Sequence, residues 1–290
     1  MNKIARLALA IGLVAVSHAG ASAGPAPAPL TVAPLSVEQI AAKNIEARGG
    51  LDAWRKIRTM VWIGHIESAN APASRIPFML EQERPNKTRF EIKAQNQMAL
   101  RVYDGVEGWK LRPVANGPPL VEPFTRAELS FANEGQGIEG PLIDHAAKGI
   151  AVALEGIDAL EGRPAYRLGL RLPSGASHRL WIDAKTFLDL RYDRPAQNAQ
   201  GRPGAVSVIY RDYHAWQGVQ VPLTLETGTD MSKVPDRMVI DRLALNPPLD
   251  GSIFTKPQIA GHRSTRGVTV DTRSQPQAQM AAGWPAATKR

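Results

Sequence analysis

Gly135-Gln136-Gly137-Ile138-Glu139-Gly140 spells the glycine fingerprint that holds the pyrophosphate of a dinucleotide. That chemistry needs a buried parallel strand before the glycines and a helix after them, so that the helix N-terminus faces the phosphates. Here the preceding residues, Ser130-Phe131-Ala132-Asn133-Glu134, are polar and helix-like, and no alternation of strand and helix patterns runs along the chain. The segment reads as a flexible loop. Beyond the N-terminal segment the histidines are His65, His145, His178, His214 and His262. His65 and Glu67 fall on one face of a strand and Asp144 adjoins His145, yet no third ligand follows at metal-binding spacing and no HExxH pair occurs. These histidines read as surface or interface residues. No GxSxG elbow presents a serine nucleophile. The absence of cysteine excludes thiol catalysis, disulfides and lipid attachment through an N-terminal cysteine. Asn86-Lys87-Thr88 is a glycan acceptor only in a eukaryotic secretory setting. The expectation is a non-catalytic protein with no metal and no cofactor.

What the residue types do support is apolar binding. Trp62, Phe78, Met79, Phe90, Met98, Trp109, Trp181 and Tyr192 all fall in strand-like segments, several of which are apolar on both faces. A sheet with one solvated face does not need this. A curled sheet with an apolar ligand on its concave face does. The candidate cavity lining is therefore Trp62, Phe78, Phe90, Met98, Trp109, Trp181 and Tyr192.

The elements that position these residues are mostly strands. Between 150 and 193, Tyr166, Leu168, Leu170 and Leu172 alternate with Ala165, Arg167, Gly169 and Arg171; short turns then lead into Ser177 to Asp183 and Phe187 to Tyr192. Short turns mean antiparallel hairpins. Five more strands are expected at 59–68, 75–84, 87–95, 97–104 and 107–112, and three at 204–213, 220–227 and 236–246. In 87–95, Phe90, Ile92 and Ala94 oppose Arg89, Glu91, Lys93 and Gln95, which predicts one dry and one wet face. Ser36 with Gln39 forms a capping box for a helix ended by Gly49-Gly50, and a second short helix runs from Leu51 to Ile57. Thr125 with Glu128 starts a helical insert reaching about Lys148, in which Leu142 to Ala147 continues a second short helix. About a dozen strands exceed what one flat sheet holds without curling. The fold class is mostly β with α (α+β): a strongly curved antiparallel sheet, with the helices and the insert on its concave side.

The chain ends read differently. Lys3 and Arg6 precede an apolar run from Leu7 to Val16, and Ala21-Ser22-Ala23 suits a signal peptidase, so residues 1–23 are expected to be a cleaved export signal. Ten or so apolar residues fall short of the roughly 20 that span a bilayer. Residues 24–35 are expected to form a Pro/Ala-rich flexible segment, 36–256 one folded domain and 257–290 a flexible basic tail. The product is expected to be soluble and periplasmic. A net charge of +8 and a pI near 9.9 suggest nucleic acid, but the basic residues alternate with apolar ones along strands and form no basic helix or stacking platform. Nucleic acid is therefore not an expected partner, whereas peripheral contact with anionic headgroups is compatible with the charge.

Several patches resemble a known family. They are Ala47-Arg48-Gly49-Gly50-Leu51-Asp52-Ala53-Trp54-Arg55-Lys56-Ile57, Val102-Tyr103-Asp104-Gly105 with Gly108-Trp109, and Gly162-Arg163-Pro164-Ala165-Tyr166-Arg167-Leu168. Trp181-Ile182-Asp183 with Leu188, Tyr210-Arg211-Asp212-Tyr213 with Gly218-Val219 and Pro222, and Phe254-Thr255 continue the likeness. Together, over roughly 37–256, they resemble periplasmic proteins related to the outer-membrane lipoprotein-sorting carrier. The resemblance implies an incomplete β-barrel of about eleven antiparallel strands, helices plugging its mouth, and a cavity that shields acyl chains. It also implies a ligand-handling arginine, for which Arg89 and Arg101 are the candidates. The expected ligand is a lipid, acyl chain or lipoprotein; the alternative is an envelope interaction or stress-sensing protein that uses the same half-barrel to bind a protein partner.

Overall fold

The computed structural model describes residues 34–69, 74–94, 97–114, 117–134, 137–197, 203–229 and 234–259. Helix α1 spans Val37–Ala47 and starts where the sequence dictates: the Ser36 hydroxyl accepts from the Gln39 N–H while the Gln39 side chain accepts from the Ser36 N–H. Such a cap contributes about 1 kcal/mol. Gly49, at φ +110°, ends the helix. A Cβ there would lie 2.1 Å from the Gly218 carbonyl oxygen, so only glycine lets α1 approach the sheet this closely. Helix α2, Leu51–Arg55, follows.

Thirteen strands form one antiparallel sheet: β1 Thr59–Glu67, β2 Ile76–Glu83, β3 Lys87–Ala94, β4 Gln97–Tyr103, β5 Gly108–Val114, β6 Gly117–Pro123, β7 Ala151–Leu160, β8 Arg163–Arg171, β9 Ser177–Asp183, β10 Asp189–Gln197, β11 Pro203–Trp216, β12 Val219–Thr229 and β13 Asp236–Leu245. Helix α3, Arg126–Asn133, lies between β6 and β7. The spatial order is β6-β5-β4-β3-β2-β1-β13-β12-β11-β10-β9-β8-β7. Two meanders are thus sewn together where β1 pairs β13, and the ends, β6 and β7, stay open. The sheet is a strongly curved, incomplete barrel with helices against its concave face. Its free edges carry guards against strand addition: Pro118, Pro119 and Pro123 in β6 remove amide donors, and β7 is bulged between Leu154 and Gly156.

Three expectations are corrected. Strand β6 was not foreseen, because three prolines in seven residues argue against a central strand; at an edge they are tolerated. The expected second helix of the insert is a run of turns, closed by Lys148 N–H to Asp144 O and Gly149 N–H to Ala146 O. Phe187 does not begin a strand. It sits at φ +58° in the turn before β10 and stacks on Tyr166 at 6.1 Å.

Register assigns the faces. On the inner, helix-bearing face, Tyr166, Leu168, Leu170, Leu180, Ile182 and Tyr192 pack with Ile40 of α1 and Leu142 of the insert, and Met60, Val219, Val221 and Leu243 pack with Trp54 and Ile57. The outer face has its own cover. After β13 a short 3-10 turn, Gly251–Phe254, places Phe254 against Leu100, Val102 and Leu111. This second core is the reason that several strands are apolar on both sides.

Candidate functional site

Beyond the cores under α1 and α2, the only helix that meets the inner face among the described residues is α3, and it buries no residue there. There the register aligns Trp62, Gly64 and Ile66 of β1 with Leu80, Phe78 and Ile76 of β2, and Phe78 and Leu80 with Ile92 and Phe90 of β3. On the other flank it aligns Gly64 and Ile66 with Ile240 and Met238 of β13, Met238 with Leu225 of β12, and Leu225 with Tyr210 of β11. Trp62, Ile66, Ile76, Leu80, Phe90, Ile92, Leu225, Met238 and Val208 are only half-buried. On the opposite face of the same strands, Val61 is 0% exposed and Glu81 and Glu91 are 5% exposed. Burial is therefore inverted relative to chemistry: carboxylates lie in the dry layer, and a band of large apolar side chains on the concave face stays half-buried. The indole N–H of Trp62 is buried in this wall without a partner.

Of the expected lining, Trp62, Phe78, Phe90 and Tyr192 lie on the inner face; the rings of Phe78 and Phe90 are 5.8 Å apart. Met98 and Trp109 do not. Met98 shares the face of Leu100 and packs into the outer cluster, and Trp109 is paired with Val102 of that face. Trp181 is also on the outer face, with Ala165 and Leu190, under the guanidinium of Arg191 at 4.9 Å. The reason is pleat parity: each residue belongs to the right strand, but alternate residues face opposite ways.

The candidate arginines separate in the same manner. Arg89 lies on the outer face between Glu81 and Glu91, both nearly buried, and contacts both. The predicted wet face of β3 is thus a closed ion-pair layer. Burial holds the Glu81 carboxyl above its ordinary range despite Arg89. Arg101 is on the inner face, bonded to Glu128 of α3 at 2.9 Å and 4.6 Å above the Phe124 ring. Burial disfavours the Glu128 carboxylate, but the Thr125 N–H, Lys110 and Arg101 outweigh it and lower its pKa to about 2.

Helix α3 has no buried residue and spans the open side of the barrel through polar contacts. Its N-terminal turn is held to β4 and β5 by Glu128, and its last residue, Asn133, accepts from the Tyr103 hydroxyl of β4. Toward this C-terminal end the Arg194 guanidinium of β10 stacks 4.1 Å from the Phe131 ring centroid, and Glu134 lies 3.6 Å from His178 Nε2. His178 is 4% exposed and its Nδ1 bonds the Tyr192 hydroxyl. Burial pushes its pKa below the ordinary value; Glu134 opposes this and Arg194 reinforces it.

Beneath the insert a cleft of about 680 Å³ opens between Arg84, Pro85, Glu139, Lys148, Leu172 and Pro173. Its charges are already committed. The Glu139 carboxylate, 3% exposed, sits 2.6 Å from Lys148 Nζ and 2.8 Å from Arg84 Nη1, and Arg48 Nη1 donates to the Glu139 carbonyl at 2.7 Å. Asn44 donates to Asp189 at 2.9 Å, fastening α1 to β10. Asp144 is bound by Arg55. No group of His, Asp or Glu among the described residues could hold a metal ion.

No family model matches the chain, and no curated protein matches its sequence significantly. Solved structures match its fold. A domain named for outer membrane lipoprotein sorting from Vibrio parahaemolyticus aligns with a TM-score of 0.50 and 13% identity, over 76% of this chain and 96% of that one. A DUF1329 family protein from Desulfovibrio piger aligns with a TM-score of 0.50 and 12% identity, over 76% and 97%. A LolA superfamily protein from Nitrosomonas europaea aligns with a TM-score of 0.49 and 13% identity, over 77% and 98%. The chain shares the curved, incomplete-barrel fold of the Vibrio and Desulfovibrio structures, the architecture that the sequence patches implied.

Proposed function

We propose that the chain is a periplasmic, non-catalytic carrier that shields the acyl part of a lipid, lipoprotein or other amphiphile inside the half-barrel. One observation carries the reading: the half-buried band of Ile66, Ile76, Leu80, Phe90, Ile92, Leu225 and Met238 on the inner face, which begins beside Trp62 at the rim of the inner core, belongs to none of the packed clusters, whereas Val61, Glu81 and Glu91 on the opposite face of the same strands are buried. Large apolar side chains left partly wet inside a concave wall are the chemistry of an apolar ligand site. The fold shared with a domain named for lipoprotein sorting supports the same class. No helix of the described residues is long and apolar enough to cross a membrane, which is compatible with a carrier.

The test is binding of a fluorescent acyl probe to the exported protein, with mass spectrometry of organic extracts from the natively purified material. Each buried methylene contributes about 0.8 kcal/mol, so affinity should rise with chain length and reach the micromolar range. Phe90→Asp or Trp62→Asp, checked for folding by circular dichroism, should weaken it strongly. Folded wild-type protein that binds no acyl probe, or binds all lengths alike, rejects the carrier and favours a protein partner on the same half-barrel.

A further inference from the structure

The geometry points to Arg194 as the anchor for an anionic headgroup, so that the ligand is an acidic amphiphile bearing a carboxylate or phosphate. This rests on the carrier reading. Arg194 follows Tyr192 on the inner face of β10 and is paired with Val206 of β11, placing it beside the apolar band that continues through Val208 and Leu225. Among the described residues the guanidinium makes no hydrogen bond and no ion pair; it stacks on the Phe131 ring at 4.1 Å and feels the electrostatic fields of Tyr192 and Glu134. The other inner-face basic residues are engaged differently: Arg101 and Lys110 are bonded to Glu128, and Arg112 to Glu122.

A guanidinium carries five donors and is never neutral in a protein, so its partial burial demands acceptors. Phe131 supplies none, and at 48% exposure the stacking on its ring is weak. Burial lowers the pKa of Arg194 even though Glu134 and Tyr192 oppose the shift, the mark of a charge its surroundings under-compensate. A carboxylate or phosphate whose chain runs along Val206, Val208 and Leu225 would meet the fork in bidentate geometry.

Dodecanoate, dodecyl phosphate and methyl dodecanoate, titrated against the full-length exported protein, test this. The two anions should bind at least about tenfold more tightly than the ester, the return on a charge-assisted pair. Arg194→Met should erase that preference and leave ester affinity unchanged. Inorganic phosphate separates the sources: an amphiphile site leaves it unbound at millimolar concentration, and tight phosphate binding overturns the assignment. Equal affinity of ester and anions in the wild type overturns it without any variant, and so does a preference that survives in folded Arg194→Met. If none of the three acyl compounds binds, the carrier reading itself falls.

Discussion

Replacing Glu139 by Gln removes one charge from beneath the insert and nearly nothing else. The carboxylate is 3% exposed and serves Lys148 at 2.6 Å and Arg84 at 2.8 Å, so the variant leaves two cations facing an amide. Removing one member of a fully buried pair costs about 3 to 5 kcal/mol. Here Lys148 and Arg84 each keep 24% of their side-chain surface exposed, and Lys148 retains its bond to the Gly140 carbonyl. Water and that carbonyl recover part of the loss, leaving a destabilisation of roughly 2 to 3 kcal/mol. For a domain of this size that is a fall in Tm of roughly 4 to 12 °C. Urea unfolding should show the midpoint moving at constant m. The cycle with Lys148→Met should return a coupling of at least about 1 kcal/mol, because the second substitution removes one stranded charge. A loss below about 0.5 kcal/mol, the range of an ordinary surface change, would refute the claim that this carboxylate pins the insert to the barrel.

Two further outcomes follow from the outer cover and from the polar end of α3. Phe254→Ala should cost about 3 to 5 kcal/mol in urea unfolding, since the ring is 1% exposed among Leu100, Val102 and Leu111, yet leave acyl binding by the folded protein intact, because the ring lies on the opposite face from the hollow; a loss under about 1 kcal/mol would show that the C-terminal turn does not close that face. His178 has a folded pKa below its ordinary 6.5, so the unfolded chain binds the proton first as pH falls; stability should be full above about 6.5 and decline below it, and His178→Phe should flatten that slope, a result read from urea midpoints between pH 7 and 5.

The helices and eleven of the strands were legible because their signals are local. The capping boxes at Ser36 and Thr125 form as written, and the period-two alternation fixed strand existence along most of the chain. Strand β6 was lost because its prolines are forbidden in the middle of a sheet and acceptable at its rim, and nothing local says which strand is the rim.

The site was harder to read for a related reason. Alternation in β3 separates Phe90 and Ile92 from Arg89 and Glu91, but which set is dry depends on what covers each face, and the outer cover is Phe254, far along the chain. Composition makes the apolar set the natural core and Arg89 the free cation. The fold reverses both, since Arg89 closes a buried carboxylate layer while Phe90 is left half wet. Arg194 shows the opposite case. It sits two residues from Tyr192, which was expected to line the cavity, so parity alone puts its guanidinium on the same wall. The usable signal was therefore a basic residue in step with an inward aromatic on a strand whose flanking charges, Arg191 and Asp193, are out of step and bonded to each other. Sequence supplies that phase directly; only the pairing of β10 with β11 shows that no acid stands opposite, because the facing residue is Val206.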